Sequence, residues 1–122
     1  MSPRVLVADD DRALQILLNV ILSRAGFDVD FANDGRVALA KAMGDHYDAI
    51  MLDLVLPKMS GYEILHELAQ TKPDSLKKVI VLTGASRGVV DQVDGSGVRA
   101  ILRKPFDIQD VIRLTAECAQ KA

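Results

Sequence analysis

The sequence predicts an α/β domain: a five-stranded parallel sheet with helices on both faces. Three short apolar runs carry half of that inference. Residues 5–8, 48–52 and 79–82 are each too short for a helix and lack the alternation of a half-exposed strand, so they read as strands buried on both faces. Between them the apolar residues recur at helical spacing. Strands that alternate with helices need crossover connections, which give a parallel sheet covered on both sides.

Residues 5–8 are the first strand. From Asp11 the period changes: Leu14, Leu17, Leu18, Ile21, Leu22 and Ala25 recur at helical spacing, and Gly26 supplies a C-terminal stop. Phe27, Val29 and Phe31 alternate with Asp28 and Asp30, the pattern of a half-exposed strand at a sheet edge. Asn33, Asp34 and Gly35 form a turn and cap before a second helix over residues 37–43. Residues 48–52 are the third strand. Ser60 and Glu63 have capping-box spacing, and Ile64, Leu65 and Leu68 make the apolar face of the helix they open.

Residues 79–82 are the fourth strand. Topology requires a fourth helix within residues 86–98, but Gly88, Gly95 and Gly97 and the β-branched Val89, Val90 and Val93 predict a short, mobile one. Residues 98–102 are the fifth strand. Asp107 caps a last helix whose inward face is expected to be Ile108, Val111, Ile112, Thr115 and Cys118. Leu114 is expected to point away from that face and to mark a contact surface.

At 122 residues the chain is long enough for one domain, over residues 1–122, that folds without disulfide or metal. Lys and Arg number 15 and Asp and Glu 17, a balance without the basic excess of a nucleic-acid-binding domain. A hydrophobic content of 49% excludes disorder. The single cysteine, Cys118, excludes an intramolecular disulfide. No apolar run reaches the roughly 18 residues of a membrane-spanning helix. The first apolar run ends in three aspartates and not in a cleavage site, so it is no signal peptide. The expectation is a cytoplasmic domain that contacts neither membrane nor nucleic acid directly and carries no attached output domain.

The chemistry is expected at the strand ends. Asp9 and Asp10 follow the first strand, Asp53 the third and Thr83 the fourth, and Lys104 lies just past the fifth. In a parallel sheet these ends share one edge, where open α/β sheets bind ligands. Three carboxylates in one pocket repel one another, and without a cation at least one should have a raised pKa. An all-oxygen donor set with no histidine or cysteine beside it suits Mg²⁺ (or Mn²⁺) better than zinc. Lys104 and Thr83 add an ammonium and a hydroxyl, which together with a cation make a site for a phosphoryl group. Asp53 is the carboxylate best placed to be the nucleophile.

Four segments now stand in order: Val5-Leu6-Val7-Ala8-Asp9-Asp10-Asp11; Met51-Leu52-Asp53-Leu54-Val55-Leu56-Pro57-Lys58-Met59-Ser60-Gly61; Val79-Ile80-Val81-Leu82-Thr83-Gly84-Ala85; and Lys104-Pro105-Phe106. With them the chain resembles the receiver domain of bacterial response regulators over essentially its whole length. The resemblance implies a flavodoxin-like doubly wound sheet of strand order 2-1-3-4-5. It implies that Asp53 is the phosphoacceptor, fed by a histidine kinase or histidine phosphotransfer protein, and that the chain is no turnover enzyme. Asp10, Asp53 and the main-chain carbonyl of Val55 would bind Mg²⁺ directly, and Asp9 through water. Lys104 would pair with the phosphoryl oxygens, Thr83 would hydrogen-bond to one of them, and the Lys104–Pro105 bond would be cis. The output would be a downstream protein, with a weak homodimer as a further contact.

Three positions depart from the family. Ile101 stands where receivers usually carry Tyr or Phe, a ring that turns inward when the threonine moves toward the phosphoryl group, so that Thr–aromatic relay cannot work here in its usual form. The glycine-bearing segment between Thr83 and Lys104 is about one residue short, which bears on the face made by the fourth helix, fifth strand and last helix. Ser60 replaces a common Asp, and both cap helices. Ile101 and the weak fourth helix motivate an alternative, a degenerate receiver that acts as a phosphorylation-independent interaction module. A Mg²⁺-dependent phosphohydrolase with an aspartyl nucleophile is a further reading, but such enzymes usually add a cap domain for which this chain has no room. Asp11, Asp34 and Asp107 read as helix caps, His46 and His66 as exposed polar residues, and Cys118, Met51 and Met59 as core or loop fillers.

Overall fold

The computed structural model of the chain describes residues 2–84 and 97–120. Its strands are β1 (Arg4–Ala8), β2 (Asp28–Ala32), β3 (Ala49–Asp53), β4 (Val79–Thr83) and β5 (Ala100–Arg103). They form one sheet of order β2-β1-β3-β4-β5 in which every neighbouring pair is parallel. The helices are α1 (Arg12–Arg24), α2 (Gly35–Gly44), α3 (Gly61–Thr71) and α4 (Ile108–Ala119). The helix expected within residues 86–98 falls almost wholly outside the described residues.

The burial of each strand follows its composition. All of β3 and β4 is buried, as is β1 beyond Arg4, whereas β2 and β5 at the edges are only partly covered. Because side chains alternate across the sheet, the core divides in two. Val5, Val7, Met51, Ile80 and Leu82 pack with Leu18 and Leu22 of α1 and Val111 and Leu114 of α4. Leu6, Ala8, Ile50, Leu52, Val79 and Val81 pack with α2, α3 and a 3₁₀ turn, Pro73–Lys78, that periodicity did not reveal. In that turn Pro73 sits in the opening positions and Leu76 is its one buried residue.

Two helix faces differ from expectation. In α4 the buried residues are Val111, Leu114 and Thr115, while Ile108 is 37% exposed. Leu114 therefore faces the core and is no contact surface. Positions 111, 114, 115 and 118 form one stripe at helical spacing. Choosing Ile108 and Ile112 as its flank turned the expected face by about half a residue's rotation. Thr115 is tolerated there because its hydroxyl donates to the Val111 carbonyl at 2.6 Å. In α1, Leu18 and Leu22 are buried, but Leu17 is 40% exposed and Ala25 is also exposed.

The helix ends follow their cap residues. Asp11, Asp34, Ser60 and Asp107 accept backbone N–H bonds from Leu14, Val37, Glu63 and Gln109. At the end of α1, Gly26 has φ +96°, Phe27 N–H reaches the Leu22 carbonyl at 3.0 Å and Gly26 N–H reaches Ser23 at 3.1 Å. This is a Schellman closure, and glycine supplies its left-handed residue. Asp107→Ala is expected to cost about 1 kcal/mol, read as a small loss of denaturant midpoint with unchanged slope.

In the middle of edge strand β2, away from the acidic residues, Asp30 gathers three donors. Tyr47 Oη donates to it at 2.7 Å, Lys41 Nζ at 3.0 Å and the Phe31 N–H at 2.9 Å. Partial burial alone would raise its pKa, but these donors outweigh burial and hold the carboxyl below its usual value. A depressed folded-state pKa adds stability above the unfolded-state value of about 3.9 and loses it as pH falls through the folded-state value. Asp30→Asn should therefore melt lower than wild type near neutrality, and thermal melts at decreasing pH should show the gap closing in strong acid.

Candidate functional site

Strand register builds the site. Ala8 pairs with Leu52, so Asp9, the next residue, lies beside Asp53 at the end of β3. Asp53 pairs with Leu82, which puts Thr83 one residue beyond it on β4. Thr83 in turn pairs with Arg103, and the Thr83 carbonyl accepts the Lys104 N–H at 2.7 Å. The five polar residues expected at the strand ends thus share the carboxyl edge of the sheet.

Two of the acids are held in the same way. Lys104 Nζ lies 2.9 Å from Asp9 Oδ2 and 3.2 Å from Asp53 Oδ2, so one ammonium bridges both. The other oxygen of each accepts a backbone N–H from two residues on: Asp11 to Asp9 Oδ1 at 2.8 Å, and Val55 to Asp53 Oδ1 at 3.1 Å. Asp9 is fully buried, Asp53 and Thr83 nearly so, and Asp10 is exposed. Val55, whose carbonyl was singled out as a ligand, is 72% exposed in the loop after β3. The Lys104–Pro105 bond is cis.

Burial pushes the Asp9 carboxyl up, although the Asp11 N–H and Lys104 pull it down. Crowding with Asp53 is the smallest contributor, so burial accounts for the raised value more than the repulsion expected from sequence. Burial would lower the pKa of Lys104, but Asp9 and Asp53 raise it, so it stays an ammonium.

The donor chemistry suits a hard divalent cation. One oxygen from each of Asp9, Asp10 and Asp53 lies within 4.8 Å of the others, and among the described residues no sulfur or imidazole joins the group. One ammonium faces three carboxyl groups, so charge remains for a cation to balance.

The residues read as bland behave so. His46 and His66 are exposed, pairing with Asp48 and Gln70 respectively. Met51 is fully buried. Cys118 packs half-buried against the α1/α4 core, and that burial pushes its thiol pKa up, away from reactivity. Ile101 packs into the α2/α3 core. Sequence reasoning gave no site role to Gln15, Asn33 or Gly61. Gln15 and Asn33 hydrogen-bond near the acidic loop, and Gly61 lies against the Asp53 backbone. No motif marks Gln15, Asn33 was read only as part of a turn, and Gly61 only as the end of a family segment.

Comparison with known proteins agrees with the geometry. The response regulator receiver domain family matches residues 5–116. The DNA-binding dual master transcriptional regulator RpaA of Synechocystis sp. is 37% identical over 112 residues, which are 90% of this chain and 46% of the relative. The chain spans about half the length of the curated relatives it matches. A Francisella response regulator receiver domain superposes with TM-score 0.86 at 30% identity, covering 96% of each chain. The receiver domain of the sensor histidine kinase PA1611 from Pseudomonas aeruginosa PAO1, solved with magnesium in its active-site cleft, has TM-score 0.86 at 26% identity and 98% coverage of both chains. No helix among the described residues is long and apolar enough to cross a membrane. With the sheet order, the acidic edge and these matches agreeing, the chain belongs to the response regulator receiver domain family.

Proposed function

We propose that the chain forms one receiver domain over residues 1–122 that accepts a phosphoryl group on Asp53 from a phosphohistidine, on a histidine kinase or phosphotransfer protein. The observation that carries this is the Lys104 ammonium bridging Asp9 and Asp53 beside Asp10. An oxygen of Asp53 attacks phosphorus, the P–N bond to the donor imidazole breaks, and the leaving imidazole takes its proton from solvent. Asp10, Asp53 and the Val55 carbonyl would hold Mg²⁺ directly and Asp9 through water. When bound, the ion neutralises phosphoryl oxygens and orients the donor. Lys104 moves from the Asp53 carboxylate to a phosphoryl oxygen, and the Thr83 hydroxyl donates to another. The added charge of about −1.5 to −2 redraws the loops after β4 and β5 and thereby a surface for a downstream protein.

Ile101 supports a second reading, a phosphorylation-independent interaction module. Its hydrocarbon side chain packs in the α2/α3 core and offers no ring or hydroxyl to follow Thr83. The two readings separate on incubation with Mg²⁺ and a small-molecule phosphodonor, followed by intact mass and an amide spectrum. Uptake of one phosphoryl group with shifted resonances around Thr83 and Lys104 is the expected result. Uptake with an unchanged spectrum favours the second reading, and no uptake overturns the first.

A further inference from the structure

The Asp9 side chain is held at both oxygens, but Asp10, the exposed acid beside it, has no such hold among the hydrogen bonds of the described residues. What fixes its direction is the peptide unit between them. The Gln15 amide nitrogen donates to the Asp9 main-chain oxygen at 2.5 Å and to Asn33 Oδ1 at 2.6 Å. The Asp9 carbonyl can only accept, so the nitrogen of the amide must face it. That carbonyl belongs to the Asp9–Asp10 peptide, which is planar, so holding the oxygen sets the plane from which the Asp10 side chain departs. The second bond ties the same amide to the loop after β2. The Asp9 N–H adds a longer link to that region, to the Ala32 carbonyl at 3.3 Å.

We propose that Gln15 is a positioning residue for metal binding. Through one amide nitrogen it clamps the Asp9–Asp10 peptide to Asn33 and pre-aims the Asp10 carboxylate at the cation. The proposal rests on reading Asp10 as a metal ligand. Gln15 is neutral, so its role is geometric and its loss changes no charge at the site. Groups that orient metal ligands contribute strongly to affinity although they never touch the ion: their removal typically costs 10–100-fold.

The test is Mg²⁺ titration of the full chain by calorimetry, with Mg²⁺ alone as the probe. Gln15→Leu removes the donor at similar volume. It should weaken Mg²⁺ about tenfold, the lower end of that range. It should raise by the same factor the Mg²⁺ concentration giving half-maximal phosphorylation, and shift the Asp10 amide resonance of the metal-free protein while those of β4 stay in place. Asn33→Ala removes only the outer anchor of an exposed residue and should act in the same direction by less. A wild-type chain that neither binds Mg²⁺ nor takes up phosphoryl overturns the reading of the site and this inference with it. A wild type that does both, with both variants matching its affinity, overturns this inference alone.

Discussion

Asp53→Asn is expected to take up no phosphoryl group under conditions in which the wild-type chain gains one. The amide keeps the shape of the side chain and one acceptor oxygen, so Val55 N–H retains its partner. It loses the anionic oxygen proposed to attack phosphorus, and its neutral nitrogen is no nucleophile. The variant should also remain folded. Lys104 keeps Asp9 at 2.9 Å when its 3.2 Å contact to Asp53 goes, and one negative charge leaves a crowded acidic pocket. Intact mass spectrometry reads the outcome, and undiminished phosphoryl gain in Asp53→Asn would place the acceptor elsewhere.

Gly61→Ala is expected to destabilise the fold and disturb the proposed phosphoacceptor together. Gly61 is buried at the first position of α3, and its N–H donates to the Leu54 carbonyl at 3.0 Å. A Cβ there would stand 2.5 Å from the Asp53 carbonyl oxygen and 2.7 Å from the Leu54 Cα. Both are backbone atoms of the strand end that presents Asp53, so neither can swing aside as a flexible side chain would. Overpacking of this kind costs about 3 kcal/mol. For a domain this size that is a fall in melting temperature of about 10 °C. Phosphoryl uptake should slow as well, because relief of the clash displaces Asp53, the proposed nucleophile. Gly44→Ala is the control: a Cβ there meets nothing within 4 Å, and melting should not fall. Equal melting of the two variants would contradict the close approach of α3 to the strand end.

The sheet and the acidic edge were legible because their signals are local. Runs of consecutive apolar residues mark β1, β3 and β4, and each is followed at once by a residue of the site, so strand order alone brings Asp9, Asp53, Thr83 and Lys104 together. The caps Asp11, Asp34 and Asp107 were legible for the same reason, since each acts within its own next turn. Helix phase was less so. In α4, Leu114 lies next to Cys118 on the helical circle, on the side away from Ile108, but Ile108 and Ile112 offered an equally apolar alternative, and only packing against β1, β3 and β4 decides between them. Leu17 in α1 failed for the same reason. The Gln15 bridge was illegible because it joins three segments through one side-chain amide, and glutamine in a helix carries no signal of its own. The cause of the raised Asp9 pKa also needed the fold: sequence shows that acids are near, not how deep each one lies.

As the proposed phosphoacceptor, Asp53 would carry an acyl phosphate. The most direct measurement is to treat the chain with Mg²⁺ and a small-molecule phosphodonor, reduce it with borohydride, and locate by peptide mass spectrometry the residue converted to homoserine. Conversion at position 53, dependent on both Mg²⁺ and donor, is the predicted result. Conversion at Asp9, Asp10 or another carboxylate, or none in a sample that has gained a phosphoryl group, would contradict it.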